Sequence, residues 1–211
     1  MKKILLVLFV LTCLAVVLNA QTLLQESFAD SPLDRGWTLL SGQLNVALAT
    51  PAPYDITSRG NWWFIGNFAH DATLGTGIAR AKIGSAGHVW LVSPQITIPA
   101  SGKVTLTFDL AITAAQSTGN APAINVNDQF VVFLSTAGAG PNDWGAGDRE
   151  ELRRWNIQGF YNDDIIQYNT LTNGKNPVTI EFDAVAGPIW LAFYSTRVGG
   201  MPPPPNHISY R

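Results

Sequence analysis

Residues 88–111, H-V-W-L-V-S-P-Q-I-T-I-P-A-S-G-K-V-T-L-T-F-D-L-A, decide how the rest of the chain is understood. Val104, Leu106, Phe108 and Leu110 alternate with Lys103, Thr105, Thr107 and Asp109, the two-residue period of a half-buried strand. Upstream, Trp90, Leu91 and Val92 form a short apolar run that Pro94 interrupts, and Ile96 and Ile98 resume the alternation. Proline belongs at strand edges and ends, so Pro94 and Pro99 put this segment at the rim of a sheet. Ser101-Gly102 supplies the reversal between two strands.

The same pattern recurs downstream. Phe130, Val132 and Leu134 alternate with Val131 and Phe133, so both faces are apolar and a central, doubly buried strand is expected. Val178, Ile180 and Phe182 alternate with Thr179, Glu181 and Asp183, and after Ala186-Gly187-Pro188 the run 189–194 is apolar throughout. Gln21–Phe28 has Leu24, Glu26 and Phe28 on one face and is expected as the first strand. Asp148–Trp155 is expected as a short helix, with Asp148 as its cap and Glu150 and Glu151 in its first turn.

Composition agrees with an all-β domain. The 211 residues are enough for one core, only 13% are charged, and glycine and proline are frequent. The formal net charge is -2, and no basic stripe offers a nucleic acid a footprint. Residues 1–20 have the form of a secretory leader: Lys2 and Lys3, then the apolar run 4–18, then Ala20 before the expected cut. The run is shorter than the about 20 residues a membrane span needs. Removing Lys2 and Lys3 takes the net charge from -2 to -4. Cys13, the single cysteine, leaves with the leader, so residues 21–211 hold no disulfide.

W-L-V-S-P-x-I-x-I-P-A-S-G-x-x-x-L-x-F-D-L (residues 90–110) resembles the central signature of the cleaved adhesin, or choice-of-anchor J, domains. Three more blocks add to the resemblance: Q-E-S-F with P-L-D-R-G-W (25–37), D-Q-F-V-V-F-L-S-T (128–136) and V-T-I-E-F-D-A-V-A-G-P-I-W-L-A-F-Y-S-T (178–196). The resemblance implies a secreted jelly-roll β-sandwich of two antiparallel sheets over residues 21–211, used for adhesion. Members close the sandwich with a further strand; here His207–Tyr210 serves as a shortened one, or the closing strand is lacking.

The sequence offers little for catalysis. His70, His88 and His207 share no metal-ligand spacing, and no H-E-x-x-H, G-x-S-x-G or P-loop pattern occurs. Glu181 and Asp183 lie on one strand face about 7 Å apart, where a solvated outer face accounts for them. The expected activity is therefore binding of a glycan or an extracellular protein. The rivals are a glycan-active hydrolase on a jelly-roll scaffold and a structural accessory module of a surface assembly.

Two sets of residues are candidates for the site. Trp62, Trp63 and Trp144 are flat rings suited to stacking on a sugar, and Trp144, in a glycine-rich loop, is expected to be exposed. Core packing is the plain alternative for the adjacent pair, since neighbours in a strand face opposite ways. The resemblance also implies structural calcium at Glu26 and Asp109, joined by Asp128, since calcium takes six to eight oxygen ligands. A hydrogen-bonded edge residue is the alternative for Glu26, and a polar strand face for Asp109.

Overall fold

The structure, a computed structural model, describes residues 21–28, 32–44, 47–48, 63–66, 78–83, 88–110, 112–114, 128–155, 177–197 and 208–210. In 63–66, 112–114 and 208–210, and at 78, 80, 82, 83, 128, 177 and 197, the description covers the backbone. The expected leader, residues 1–20, lies outside the described residues. Among the described residues the regular structure is twelve strands and one three-residue 3-10 turn, Leu33–Arg35. No helix among them is long and apolar enough to cross a membrane.

The strands are β1 (Thr38–Ser41), β2 (Trp63–Gly66), β3 (Ile78–Ile83), β4 (His88–Val92), β5 (Ile96–Ile98), β6 (Gly102–Asp109), β7 (Ile112–Ala114), β8 (Asp128–Ser135), β9 (Arg149–Trp155), β10 (Pro177–Ala184), β11 (Gly187–Arg197) and β12 (Ile208–Tyr210). All their pairings are antiparallel. The main sheet runs β1-β4-β11-β8-β9, with β5 also paired to β11. The remaining strands form the pair β10-β6 and the sheet β2-β3-β12-β7. The fold is a β-sandwich, as expected.

The core follows from the alternation. Leu39, Val89, Leu91, Phe130, Val132, Leu134, Trp155 and Leu191 point from the main sheet toward Val178, Ile180, Phe182 and Ala184 of β10. Val104, Leu106 and Phe108 of β6 and Ala79 and Ala81 of β3 complete this cluster. The outward partners Lys103, Thr105, Thr107, Thr179, Glu181 and Asp183 are exposed. β8 and β11 lie inside the main sheet and are buried on both faces, which is why their sequences are continuously apolar.

The stretch 88–111 is more than a hairpin. β5 pairs with β11 and β6 with β10, so the reversal at 99–101 carries the chain from one layer to the other. The turn after Ala184 carries β10 into β11 at the same place, and the two corners are clipped by Ala186 N–H donating to Ser101 Oγ at 2.9 Å. Pro94 sits at a true edge. β1 stops at Thr38, opposite Val92, and beyond it Ser93, Pro94 and Gln95 oppose only Trp190 and Leu191 of β11, a β-bulge. Ser93 Oγ accepts from Leu191 N–H at 2.9 Å and donates to Pro94 O at 2.8 Å, while Ser93 N–H donates to Leu191 O at 2.8 Å.

Two expectations are corrected. Residues 21–28 form no strand. Glu26 Oε1 accepts from its own neighbours, Ser27 N–H at 2.8 Å and Phe28 N–H at 2.7 Å, which uses up donors a ladder would need. Phe28 adopts φ 52°. Residues 149–155 are the strand β9, not a helix. The open edge of β8 offers a full ladder, and a bulge between Val132 and Phe133 sets the facing of β9. Leu152 and Trp155 then pack on the core while Glu151 and Arg154 stay at the surface. Residues 208–210 do form a strand, paired on one side with β3 and on the other with β7.

Candidate functional site

The main sheet has a second face, turned away from β10, and the most concentrated chemistry of the described residues lies there. Its floor is aromatic. Trp90 of β4 packs against Tyr194 of β11 at 4.5 Å between ring centroids, Phe133 of β8 at 5.5 Å and Trp144 at 6.0 Å. Strand register makes this floor: Trp90 is opposite both Leu40 and Tyr194, and Phe133 is opposite Ala192. A small residue between large ones lets the rings close over the sheet.

Two loops lie over the floor, and Trp90, Phe133, Trp144 and Tyr194 are all buried. Trp90 Nε1–H donates to Gly42 O at 2.9 Å, and Gly42 N–H donates to His88 O at 3.3 Å. Gly42 has φ 134°, and a Cβ there would lie 3.0 Å from Leu48 Cδ2, so glycine suits this crossing. The loop after β8 is tied by Gly140 N–H to Asp143 Oδ2 at 2.7 Å and by Ser135 Oγ–H to Asp143 O at 3.1 Å. Trp144 O accepts from Arg149 Nη1–H. The Arg149 guanidinium lies 5.1 Å from the Phe133 ring centroid and 5.8 Å from that of Trp90, a cation–π placement. Burial lowers the Arg149 pKa, opposed by the nearby Tyr194 and Glu151.

One end of the face is a polar row. His88, Thr196 and Gln129 stand opposite one another on β4, β11 and β8. His88 Nδ1 lies 2.8 Å from Tyr194 Oη and 2.6 Å from Thr196 Oγ1. Burial lowers the His88 pKa. Burial also raises the Tyr194 phenol, and hydrogen bonds with Thr196 and the Leu44 backbone oppose that rise. At the open edge, Arg154 on β9 donates to Glu151 through Nε at 2.9 Å, and its Nη groups bond Gln129 Oε1 and Glu151 Oε2. The hydrogen bond to Glu151 raises the Arg154 pKa. The arrangement therefore presents a partly exposed imidazole, an amide and an ion pair beside a buried aromatic cluster. Such groups can hydrogen-bond hydroxyls, amides or carboxylates of a ligand.

The expected site residues are placed differently. Trp144 is 1% exposed, so the expectation that it stands out as a stacking surface is corrected: its ring turns inward on Trp90. Its Nε1–H is buried without a partner among the described residues. Trp62 and the side chain of Trp63 lie outside the described residues; the Trp63 backbone pairs with Ala81.

Glu26 is occupied by this chain's own donors. Besides the two backbone N–H groups, Trp37 Nε1–H donates to Oε2 at 2.8 Å and Arg35 Nη2 lies 2.8 Å from Oε1. Gly36, at φ 83°, turns the chain between Arg35 and Trp37 so that both meet the carboxylate. Asp109 ends β6 opposite Pro177 and is exposed. Asp128 begins β8 opposite Arg197, and its side chain lies outside the description. Among the described residues no group of three or more His, Cys, Asp or Glu could hold a metal ion. Of the expected calcium set, Glu26 carries donors from this chain on both carboxylate oxygens.

Sequence reasoning missed His88, Tyr194, Thr196, Arg149 and Arg154 as a group. His88 was visible only as an isolated histidine. Its partners are 106 and 108 residues away, and only the β4-β11 register unites them.

No protein-family model matches the sequence, and no curated protein sequence matches it. Among solved structures, the chain is similar to the K3 cleaved adhesin domain of Lys-gingipain from Porphyromonas gingivalis w83, at 13% identity over 89% of this chain and 94% of that one, with a TM-score of 0.44. At that identity and TM-score the likeness says nothing about ligand or activity.

Proposed function

We propose that this chain is a secreted or cell-surface binding module, an adhesion domain that holds a glycan or an extracellular protein without turning it over. The observation that carries this reading is the second face of the main sheet, where His88, Gln129, Glu151 and Arg154 border the aromatic floor. The side chains are bonded in two sets, His88 with Tyr194 and Thr196 on β4 and β11, and Arg154 with Gln129 and Glu151 on β8 and β9, so each set is held in place before a ligand arrives. A binding reading also suits the acidic residues: Glu181 and Asp183 share an exposed outer face, and Asp183 pairs with Lys103 at 3.6 Å. The Nδ1 partners of His88 are two hydroxyls, and Thr196 is buried. A general base would need an orienting partner and an accessible nucleophile.

The test is a glycan array and an extracellular-protein pull-down with residues 21–211. Arg154→Ala and Glu151→Ala are expected to weaken retention about tenfold or more, the scale of losing one charge-assisted contact, with the melting temperature kept. Binding that is indifferent to both substitutions overturns the placement of the site. Release of reducing ends from a polysaccharide panel, abolished by Glu181→Gln, overturns the non-catalytic reading.

A further inference from the structure

We propose that Gln21 is a modification site: after removal of the leader, its α-amine closes on its own side-chain amide to give a pyroglutamyl terminus. This rests on the secreted reading above, since only a chain that begins at residue 21 has the amine in place. Two independent observations lead here. The A-Q junction at 20–21 ends the apolar leader pattern at a small residue, which places a glutamine first. In the fold, Gln21 and Thr22 are exposed, whereas Leu23 already packs against the main core and Glu26 is bound by Arg35 and Trp37. The chain is thus held at Leu23 and Glu26, and Gln21 and Thr22 are exposed ahead of these anchors.

The chemistry is balanced within the residue. The neutral α-nitrogen attacks Cδ of the Gln21 amide, and an N–Cδ bond forms to close a five-membered lactam. The Cδ–Nε2 bond breaks, and ammonia leaves with the proton taken from the amine. No oxidant or reductant is involved. The reacting form is the neutral amine, whose ordinary pKa is about 8, so cyclisation quickens as pH rises toward that value. The product carries no terminal charge and offers an aminopeptidase no free amine, which fits a domain exposed outside the cell.

The experiment uses the full chain, leader included, expressed in a bacterium that exports it and purified through a C-terminal tag. Intact mass and stepwise N-terminal degradation are read before and during incubation at pH 8. The expected species begins at residue 21, loses the mass of one ammonia and becomes refractory to degradation until a pyroglutamyl peptidase is added. Gln21→Ala keeps its full mass and stays readable. Because Gln21 and Thr22 are exposed, the folded chain cyclises within about twofold of the urea-unfolded chain. Protection of the folded chain by about tenfold or more, or a free Gln21 that persists, overturns the proposal and leaves the binding reading standing. A first residue other than Gln21, or a retained leader, overturns the proposal together with the cleavage on which it depends, and the same degradation cycle tells these outcomes apart.

Discussion

Ser93→Ala tests the corner of the sandwich at a single hydroxyl. Ser93 is fully buried, and its Oγ is the acceptor for Leu191 N–H and the donor to Pro94 O. The bulge places no backbone carbonyl of its own opposite Leu191 N–H, so alanine leaves that donor unsatisfied inside the protein. An orphaned buried group costs about 1–3 kcal/mol. The Pro94 carbonyl loses its donor as well, but it is partly buried and can turn toward water at lower cost. Together the loss is about 2–4 kcal/mol, which for a domain of this size lowers the melting temperature by about 4–16 °C. Urea unfolding of Ser93→Ala beside Thr97→Ala gives the comparison. Thr97 is exposed on β5, and its substitution is expected to change stability by less than about 0.5 kcal/mol. Hydrogen exchange should show faster opening at the Leu191 amide in the Ser93 variant. A Ser93→Ala chain within about 0.5 kcal/mol of the parent would refute the reasoning, because it would mean that the bulge is held by packing alone.

Glu26→Gln keeps the shape of the side chain but removes the charge facing Arg35 and weakens the acceptor for Trp37, so a loss of about 1–2 kcal/mol is expected in thermal melts. Since both oxygens of the carboxylate already carry the chain's own donors, millimolar calcium is expected to leave the parent melting curve where chelator left it; a calcium-dependent rise abolished by Glu26→Gln would assign the metal to Glu26. Stability should also fall on acidification through His88. Its folded pKa is lowered by burial, so its neutral form is favoured in the fold, and the unfolded chain takes up the proton first. The contribution is full above the unfolded value of about 6.5 and is lost as pH falls from there toward the lowered folded value. A His88→Gln variant should show a flatter stability–pH profile in that window, and an unchanged slope would remove His88 as its source.

Much of the fold was legible because strand alternation is a local record of burial. Lys103–Leu110 and Val178–Ala184 declare one wet face and one dry face, and β8 and β11 declare two dry faces. Alternation failed at Leu24–Phe28 for an equally local reason: a glutamate side chain can take the backbone donors that a partner strand would have used. At Arg149–Trp155 the failure was not local. Charges spaced as in a helix cannot show that an open sheet edge will be waiting for them. Trp144 was misjudged for a related reason, since a glycine-rich loop predicts exposure only until the loop folds back over an aromatic floor.

The sequence by itself determined the all-β class, the strands that form the core and the interruption at Pro94, because each depends on side-chain periodicity or on a missing backbone N–H. Only the tertiary structure decided that β5 and β6 part into different layers, that Ser93 stands in for the broken ladder and that Glu26 is met by Arg35 and Trp37. It alone brought His88, Tyr194 and Thr196 together beside Gln129 and Arg154. Contacts of that kind depend on register between strands about a hundred residues apart in the chain, and register is settled by the packing of whole sheets rather than by any one stretch of sequence.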